Sequence, residues 1–259
     1  MYNFTQFGFR DMMDCRTRIR AIFDDEPSTL AEAGQRVVRF FYEGLLDEQG
    51  KPACALVRMF KTHRFSELDE ASQTFATRLF PDAATIPDLR CLTLLATAGD
   101  EPDWNKVESS RGHRVIPLPS EAMVAEAPMI AQLITQLGGK IANVLHPDPS
   151  LLFDTKDASY NLFYVQKALG SPFIVAQKEF VEPYRIASVL GFGGLLASGD
   201  FFAAILFSHV PISSQVADLF KVVGLNLKVA FLPLARKPLF ESRPSAFNFP
   251  PAGVPRSPW

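Results

Sequence analysis

Histidine and cysteine are the residues of this chain best suited to metal binding or nucleophilic catalysis, and their spacing limits what they could do. The histidines are His63, His113, His146 and His209, and the cysteines are Cys15, Cys54 and Cys91. None of them forms a His-x-x-x-His or Cys-x-x-Cys pair, so the spacing of a local metal site is absent and we predict none. A dispersed site, in which His113 and Cys91 converge from distant segments, stays open as a catalytic alternative.

Other motifs of this sequence have simpler structural explanations than catalysis. The glycines between Gly191 and Gly194 resemble part of a dinucleotide fingerprint, but Leu196 occupies the place of the third glycine and no helix is predicted after them. Glycines within a strand more often mark a bulge or a close approach to the backbone, which is compatible with the floor of a ligand site. Three acidic residues between positions 100 and 103 lie in a polar loop, where carboxylates are usually solvated. We therefore predict no catalytic residue.

A small-molecule pocket accounts better for the aromatic and polar residues in the middle of the chain. Such pockets combine apolar walls with a few polar groups that orient the ligand. The candidates of this kind are Trp104, His113, Tyr164 and Phe173, together with the thiol of Cys91. We predict that these side chains line a ligand site. No motif identifies a cofactor, so the chemistry of the ligand is left open.

The composition excludes several classes of protein. The chain has 259 residues, of which 47% are hydrophobic and 21% are charged, as expected for one large globular domain or two small ones. A formal charge of −2 gives no sign of the positive field that nucleic-acid binding requires. No apolar stretch approaches the ~20 residues needed to cross a bilayer, and residues 1–20 lack the apolar region of a secretory signal. With an odd number of cysteines, we predict a cytoplasmic protein that binds neither nucleic acid nor membrane.

Apolar spacing and capping residues predict the elements that position the candidate residues. Helices are expected to begin at Thr29, Ser66, Ser120 and Pro128, and strands to cover Cys54–Phe60, Arg90–Ala98 and Tyr160–Gln166. The polar segment from Gly99 to Pro119 carries two of the candidates and is predicted to be a long functional loop.

The end of the folded region has the clearest local signal. Two apolar runs, Arg185–Leu196 and Phe201–Ser208, are separated by Ala-Ser-Gly-Asp, which predicts a β-hairpin. Ser213 or Ser214 can cap a closing helix that ends near Leu232. The apolar residues of this helix repeat at steps of four and three, at Val216, Phe220, Val223 and Leu227. This seam has two interpretations, because it could pack on the sheet or form a homodimer interface.

The order of these elements predicts a mixed α/β (α+β) fold in which helices flank an antiparallel sheet. Five segments within residues 29–234 carry a family resemblance: Ala53–His63, Gly99–Asn105, Gly112–Ser120, Ser188–Gly194 and Val210–Ser213. With them, this region resembles the GAF-type sensor domains of bacterial signalling proteins, which often precede PAS, histidine-kinase or cyclase modules. Residues 1–28 are then an N-terminal helical extension and residues 235–259 a Pro-rich tail.

The resemblance implies a ligand pocket between one sheet face and the segment from Gly99 to Val175. It further implies a non-catalytic sensory domain that signals through its terminal helices to a kinase or cyclase in the same chain or on a partner. We expect this domain to form a homodimer. Asn105-Lys106 is present, but the Phe-Asp-Glu spacing of cyclic-nucleotide-binding members does not follow it, and no cysteine stands beside a histidine as in bilin-binding members. The alternatives are an enzyme with a dispersed His/Cys site and a structural homodimerisation module.

Overall fold

A six-stranded antiparallel sheet forms the centre of the protein. A computed structural model describes residues 1–110, 112–147, 162–196 and 198–240. The strands in chain order are β1 (Tyr2–Asn3), β2 (Leu45–Leu46), β3 (Cys54–Arg64), β4 (Arg90–Gly99), β5 (Val115–Leu118), β6 (Phe163–Val165), β7 (Ser188–Leu195) and β8 (Phe201–Ser208). β1 and β2 form a separate parallel pair, and the other strands lie in the order β5-β4-β3-β8-β7-β6, each antiparallel to its neighbours.

Helices cover both faces of this sheet, so the predicted mixed α/β fold class is confirmed. The α-helices of the described residues are α1 (Phe9–Ala21), α2 (Leu30–Gly44), α3 (Glu70–Leu79), α4 (Glu121–Ala125), α5 (Pro128–Gln136), α6 (Ile141–Leu145) and α7 (Ser214–Phe231). Short 3-10 turns lie at Phe65–Glu67, Pro81–Ala84, Pro102–Asn105, Val107–Ser109 and Leu232–Arg236, and a π turn at Gln177–Val181. None of the helices in the described ranges combines the length and the apolar character needed to cross a membrane.

The sequence predicts most helix starts correctly. The side-chain oxygens of Thr29, Ser120 and Ser213 each accept a hydrogen bond from the backbone N–H three residues further on. The start predicted at Ser66 is wrong, because a 3-10 turn comes first and Asp69 caps α3 instead. Its carboxylate accepts from the backbone N–H of Ser72 at 2.8 Å.

The face of the sheet covered by α2 and α7 holds a continuous aromatic core. The Phe192 ring of β7 lies 5.3 Å from the ring of Phe41 on α2 and 5.5 Å from that of Phe220 on α7. Phe220 is also contacted by Phe4 and Phe7, at ring distances of 5.6 and 5.0 Å. Residues of the 1–28 segment therefore belong to the same core as the sheet.

This packing decides between the two interpretations of the seam on α7. Its residues are at most 5% exposed within a single chain, and they are Val216, Phe220, Val223 and Leu227. The dimer interface predicted at these positions is wrong, because the sheet and the N-terminal segment already cover them. A homodimer formed through another surface stays a prediction.

Several predicted boundaries also change. The segment from Gly99 to Pro119 is not one loop, since β5 lies within it and pairs with the edge of β4. Pro117 in β5 is tolerated because an edge strand has one side free of ladder bonds. β3 runs to Arg64, beyond the predicted end, after a register shift between Met59 and Phe60. Positions 160 and 161 of the predicted strand, position 197 of the hairpin turn and positions 241–259 of the predicted tail lie outside the described residues.

The predicted hairpin is confirmed by the pairing of β7 with β8. Gly193 has φ +154°, and a Cβ built on it would lie 2.2 Å from the carbonyl oxygen of Phe202. The glycine is needed because the neighbouring strand, rather than a ligand, approaches the backbone here.

Candidate ligand-binding site

A cavity of about 390 Å³ lies between the second face of the sheet and the residues around α5. Most of its walls are apolar side chains: Leu56, Phe60, Leu92, Leu133, Ile205 and Phe207. The strands β3, β4 and β8 supply the floor, while α5 and the segment 173–180 supply the opposite wall. The volume falls in the range of ~300–1,000 Å³ that is typical of small-molecule sites.

Three of the five predicted ligand-binding residues come together at this cavity. Trp104, His113 and Phe173 all line it, although they lie far apart in the sequence. Their convergence follows from the fold, since the 3-10 turn after β4, the loop before β5 and the segment before the π turn meet over the same end of the sheet. The predicted position of a pocket between the sheet and the 99–175 segment agrees with this cavity.

Tyr164 and Cys91 do not line the cavity, so the structure does not bring these two predicted residues to this site. Successive side chains of a strand point to opposite faces of a sheet. Leu92 lines the cavity, whereas its neighbour Cys91 packs in the separate cluster beneath α3. Phe163 packs on the cavity side of the sheet, whereas the Tyr164 hydroxyl donates to the carbonyl oxygen of Ile212 on the other face.

The environment of Cys91 also separates it from His113. Burial raises the pKa of the Cys91 thiol to about 12, so the thiol stays protonated and weakly nucleophilic at neutral pH. Cys91 is not among the described residues that line the cavity to which His113 belongs. The alternative of a dispersed His/Cys site is therefore not supported by the described residues.

The turn that follows β4 fixes the position of Trp104. The Asn105 side chain donates to the carbonyl oxygen of Gly99 at 2.8 Å and accepts from its N–H at 3.2 Å. A Cβ on Gly99 would lie 2.9 Å from the Trp104 ring, so glycine allows the ring to fold back over the strand end. The ring then packs on Tyr184, with 4.4 Å between centroids, and on Phe180, with 5.7 Å. The Gly-Asp-Glu-Pro-Asp-Trp-Asn motif thus holds the Trp104 ring in place as part of one cavity wall.

Arg58 is the charged residue that reaches the cavity from the middle of β3. It is partly buried between Leu56 and Phe60, which lie on the same face of the strand. Its Nε atom is fully buried and makes no hydrogen bond within the described residues. Desolvation lowers the pKa of the Arg58 guanidinium to about 10, so the group is still a cation at neutral pH.

A second, polar cleft of about 610 Å³ adjoins the cavity. Both are lined by Arg58, Trp104 and His113, which therefore lie at the boundary between them. Besides Arg58, the charged residues of the cleft are Glu101, Asp103, Lys106 and Glu179. The site consequently has an apolar chamber, a cation at its boundary and a hydrated side with acidic groups.

His113 lies where the apolar cavity meets the polar cleft. The residue is exposed to solvent overall. Partial desolvation, followed by the charge of Arg58, lowers the pKa of the imidazole. His113 is therefore a neutral hydrogen-bonding group beside Arg58 at physiological pH, able to donate through one ring nitrogen and accept through the other.

Other charged residues of the sheet form a buried cluster with a structural role. Asp200 in the hairpin turn accepts from Lys61 Nζ at 2.8 Å and from Arg90 at 3.0 Å. Burial alone would raise the Asp200 pKa, but the contacts with these cations outweigh it and lower the pKa. His63 is buried nearby with both ring nitrogens unpartnered in the described residues, and desolvation together with the Lys61 charge lowers its pKa to about 3. This cluster joins the β7–β8 turn to β3 and β4.

The histidines, cysteines and acidic residues form no metal site in the described ranges: no group of three or more of them is arranged to hold a metal ion. No protein-family model matches the chain, and no curated protein is detectably similar to it in sequence. The GAF resemblance therefore stays a prediction that depends on the sequence segments and on the pocket they imply.

Arg58 is the site residue that the sequence reasoning missed, although a signal for it exists. It interrupts the apolar run Cys54–Phe60 with a side chain whose neighbours two positions away are apolar. Since side chains two positions apart in a strand share one face, this spacing places a charge on a buried face of the strand, where a cation needs a partner.

Proposed function

We propose that this protein is a non-catalytic sensory or regulatory domain of the GAF type that binds a small molecule in the cavity beneath the sheet. The observation that carries the proposal is the convergence of Trp104, His113 and Phe173 on one apolar cavity with Arg58 at its edge. Apolar walls with a few converging polar groups are the usual composition of a small-molecule site. The buried, proton-bearing thiol of Cys91 argues against the enzyme alternative.

The arrangement of the cavity walls suggests how binding is transmitted. One wall is the rigid sheet, and the other belongs to α5 and the segment 173–180. A ligand that prefers one packing of these walls would shift the population toward it. On β8, Ile205 and Phe207 face the cavity whereas Leu206 packs in the core with α7. We propose that the terminal helices α1 and α7 respond through this strand and act on a kinase or cyclase, in the same chain or on a partner.

The compartment proposed for this activity is the cytoplasm. The three cysteines Cys15, Cys54 and Cys91 are all free and buried. Free thiols are typical of a reducing compartment. The ligand would then be an intracellular metabolite.

The proposal is tested by native mass spectrometry of the full chain after incubation with a metabolite extract of its host. Leu133→Trp fills the cavity, whereas Val222→Trp places the same ring on α7, on the other side of the sheet, where Val222 is 38% exposed. We expect a bound small molecule in the wild type and in Val222→Trp, and none in Leu133→Trp. If Leu133→Trp does not fold, Ala176→Trp at the exposed mouth of the cavity replaces it. An empty wild-type protein, or a molecule retained when the cavity is filled, would contradict the proposal.

A further inference from the structure

We infer that the ligand of this cavity is an amphipathic monoanion, with an apolar body and one carboxylate-type group that binds Arg58. The inference rests on the proposed function and adds the chemical class of the ligand. Three observations support it: the buried cations of the sheet have an ion-pair partner, Arg58 lies at the boundary of the cavity, and carboxylates line the adjoining cleft.

Arg58, which is partly buried, differs from the two fully buried cations of the same sheet. Lys61 on β3 and Arg90 on β4 are 4% and 7% exposed, and both form ion pairs with the carboxylate of Asp200. Arg58 forms no ion pair with a described residue, and its Nε atom is fully buried without a hydrogen bond. The Nε of Arg90 is also unpartnered, but Arg90 has Asp200 as its ion-pair partner. A buried charge is costly unless it has a partner. The described residues supply no anionic partner for the Arg58 guanidinium. A bound anion can take that place.

The position of Arg58 indicates how such an anion would lie. Leu56 and Phe60 flank it on the same face of β3, and Ile205 is its register partner on β8. An apolar body would therefore contact these side chains within the cavity. The anionic group would meet the guanidinium at the boundary with the polar cleft, where His113 can add a hydrogen bond. A planar carboxylate matches the two parallel donors of a guanidinium.

The charges of the polar cleft limit the ligand to a single negative charge. Glu101, Asp103 and Glu179 line the cleft next to Arg58, and Lys106 is the other cation there. A dianion such as a phosphate monoester would be repelled by these carboxylates once Arg58 is neutralised. A cation would be repelled by Arg58 itself and would find no carboxylate among the described residues that line the cavity.

Isothermal titration calorimetry with three probes of one shape tests the inference directly. 4-Phenylbutyrate, 4-phenylbutyramide and 4-phenylbutylammonium share an apolar body and differ in the charge of the end group. A charge-assisted hydrogen bond favours the carboxylate over the amide by about tenfold to a hundredfold in the wild type. We expect the ammonium probe to bind most weakly.

Substitutions on β3 assign the preference to Arg58. In Arg58→Met the affinity for the carboxylate should fall to that for the amide, whereas the affinity for the amide should be retained. Arg58→Gln serves the same purpose if the methionine variant does not fold. Arg64→Met is the matched control, because it removes the same charge from an exposed position of the same strand. Arg64 forms a surface ion pair with Asp88. This control should keep the full carboxylate preference.

The outcomes separate this inference from the proposed function. Equal affinities of the carboxylate and the amide for the wild type, or an unchanged preference in Arg58→Met, would overturn the anion assignment and leave the cavity as a ligand site. If none of the three probes binds and the cavity-filling Leu133→Trp variant captures the same molecules as the wild type, both proposals fail.

Discussion

Arg58→Met should stabilise the empty protein while it removes the preference for anions. In the absence of ligand, the guanidinium is a cation that burial disfavours and that no described carboxylate neutralises. Methionine keeps an unbranched apolar side chain of similar length in the same space, without the charge. A residue kept for ligand binding at the expense of stability would respond in this way.

The magnitude follows from the pKa of Arg58. Desolvation lowers this pKa from its ordinary value to about 10, and each pKa unit corresponds to ~1.36 kcal/mol. Both the folded and the unfolded protein are protonated at pH 7, so the folded state carries the full cost there. The cost disappears only as the pH rises through about 10 toward the ordinary value. Water in the adjoining cleft screens part of it, which leaves a gain of about 1–3 kcal/mol for Arg58→Met.

Thermal and chemical unfolding of three variants measures this gain. A gain of about 1–3 kcal/mol raises the melting temperature by roughly 2–4 °C per kcal/mol in a protein of this size. Arg90→Met, on the neighbouring strand, should instead destabilise, because it leaves Asp200 with one cation fewer. The exposed Arg64→Met should change stability by less than about 0.5 kcal/mol. A destabilised Arg58→Met variant would refute the reasoning, since it would show that Arg58 is already satisfied in the empty protein.

Three further predictions concern the fold. Gly193→Ala should destabilise by more than about 3 kcal/mol in urea unfolding, because its Cβ would lie 2.2 Å from a carbonyl oxygen of β8; soluble protein with wild-type stability would contradict the hairpin geometry. Phe220→Asp should abolish folding rather than dissociate a dimer, as read by circular dichroism, since the side chain is fully buried; a folded monomer would restore the seam as an interface. Burial lowers the pKa of His63 to about 3, so between about pH 6.5 and 4 only the unfolded state binds a proton at this imidazole. The free energy of unfolding should therefore fall as the pH is lowered through this range, by up to ~1.4 kcal/mol per pH unit. His63→Phe should flatten that part of the pH dependence and the exposed His146→Phe should not; an equal effect of both would exclude His63 as the source.

The sequence predicts the elements of this fold where the signal is local. A hydroxyl at Thr29, Ser120 or Ser213 satisfies a free N–H of its own helix, so the start can be recognised without the rest of the chain. The hairpin before α7 is equally local, because two apolar runs and a turn define it. β5 was missed because its four residues include Pro117, and only the edge of β4 makes them a strand.

The candidate site was predicted in part because its residues depend on tertiary placement. Trp104 and His113 lie on turns, where the neighbouring residues allow their side chains to reach the cavity. Cys91 and Tyr164 lie on strands, where a shift of one position reverses the face, and both point away from it. The role of Arg58 depends on which face of β3 meets α5, and the pattern of one strand does not contain that information.

The most direct test of the central claim is the fluorescence of Trp104 during titration with 4-phenylbutyrate. The chain has two tryptophans, Trp104 and Trp259, so Trp259→Phe leaves the cavity residue as the single reporter. If the anion occupies the cavity beside Arg58, the emission of Trp104 should change saturably, with the dissociation constant found by calorimetry, and Arg58→Met should weaken that change in parallel. Binding measured by calorimetry with no change in Trp104 emission would place the ligand elsewhere and contradict the account.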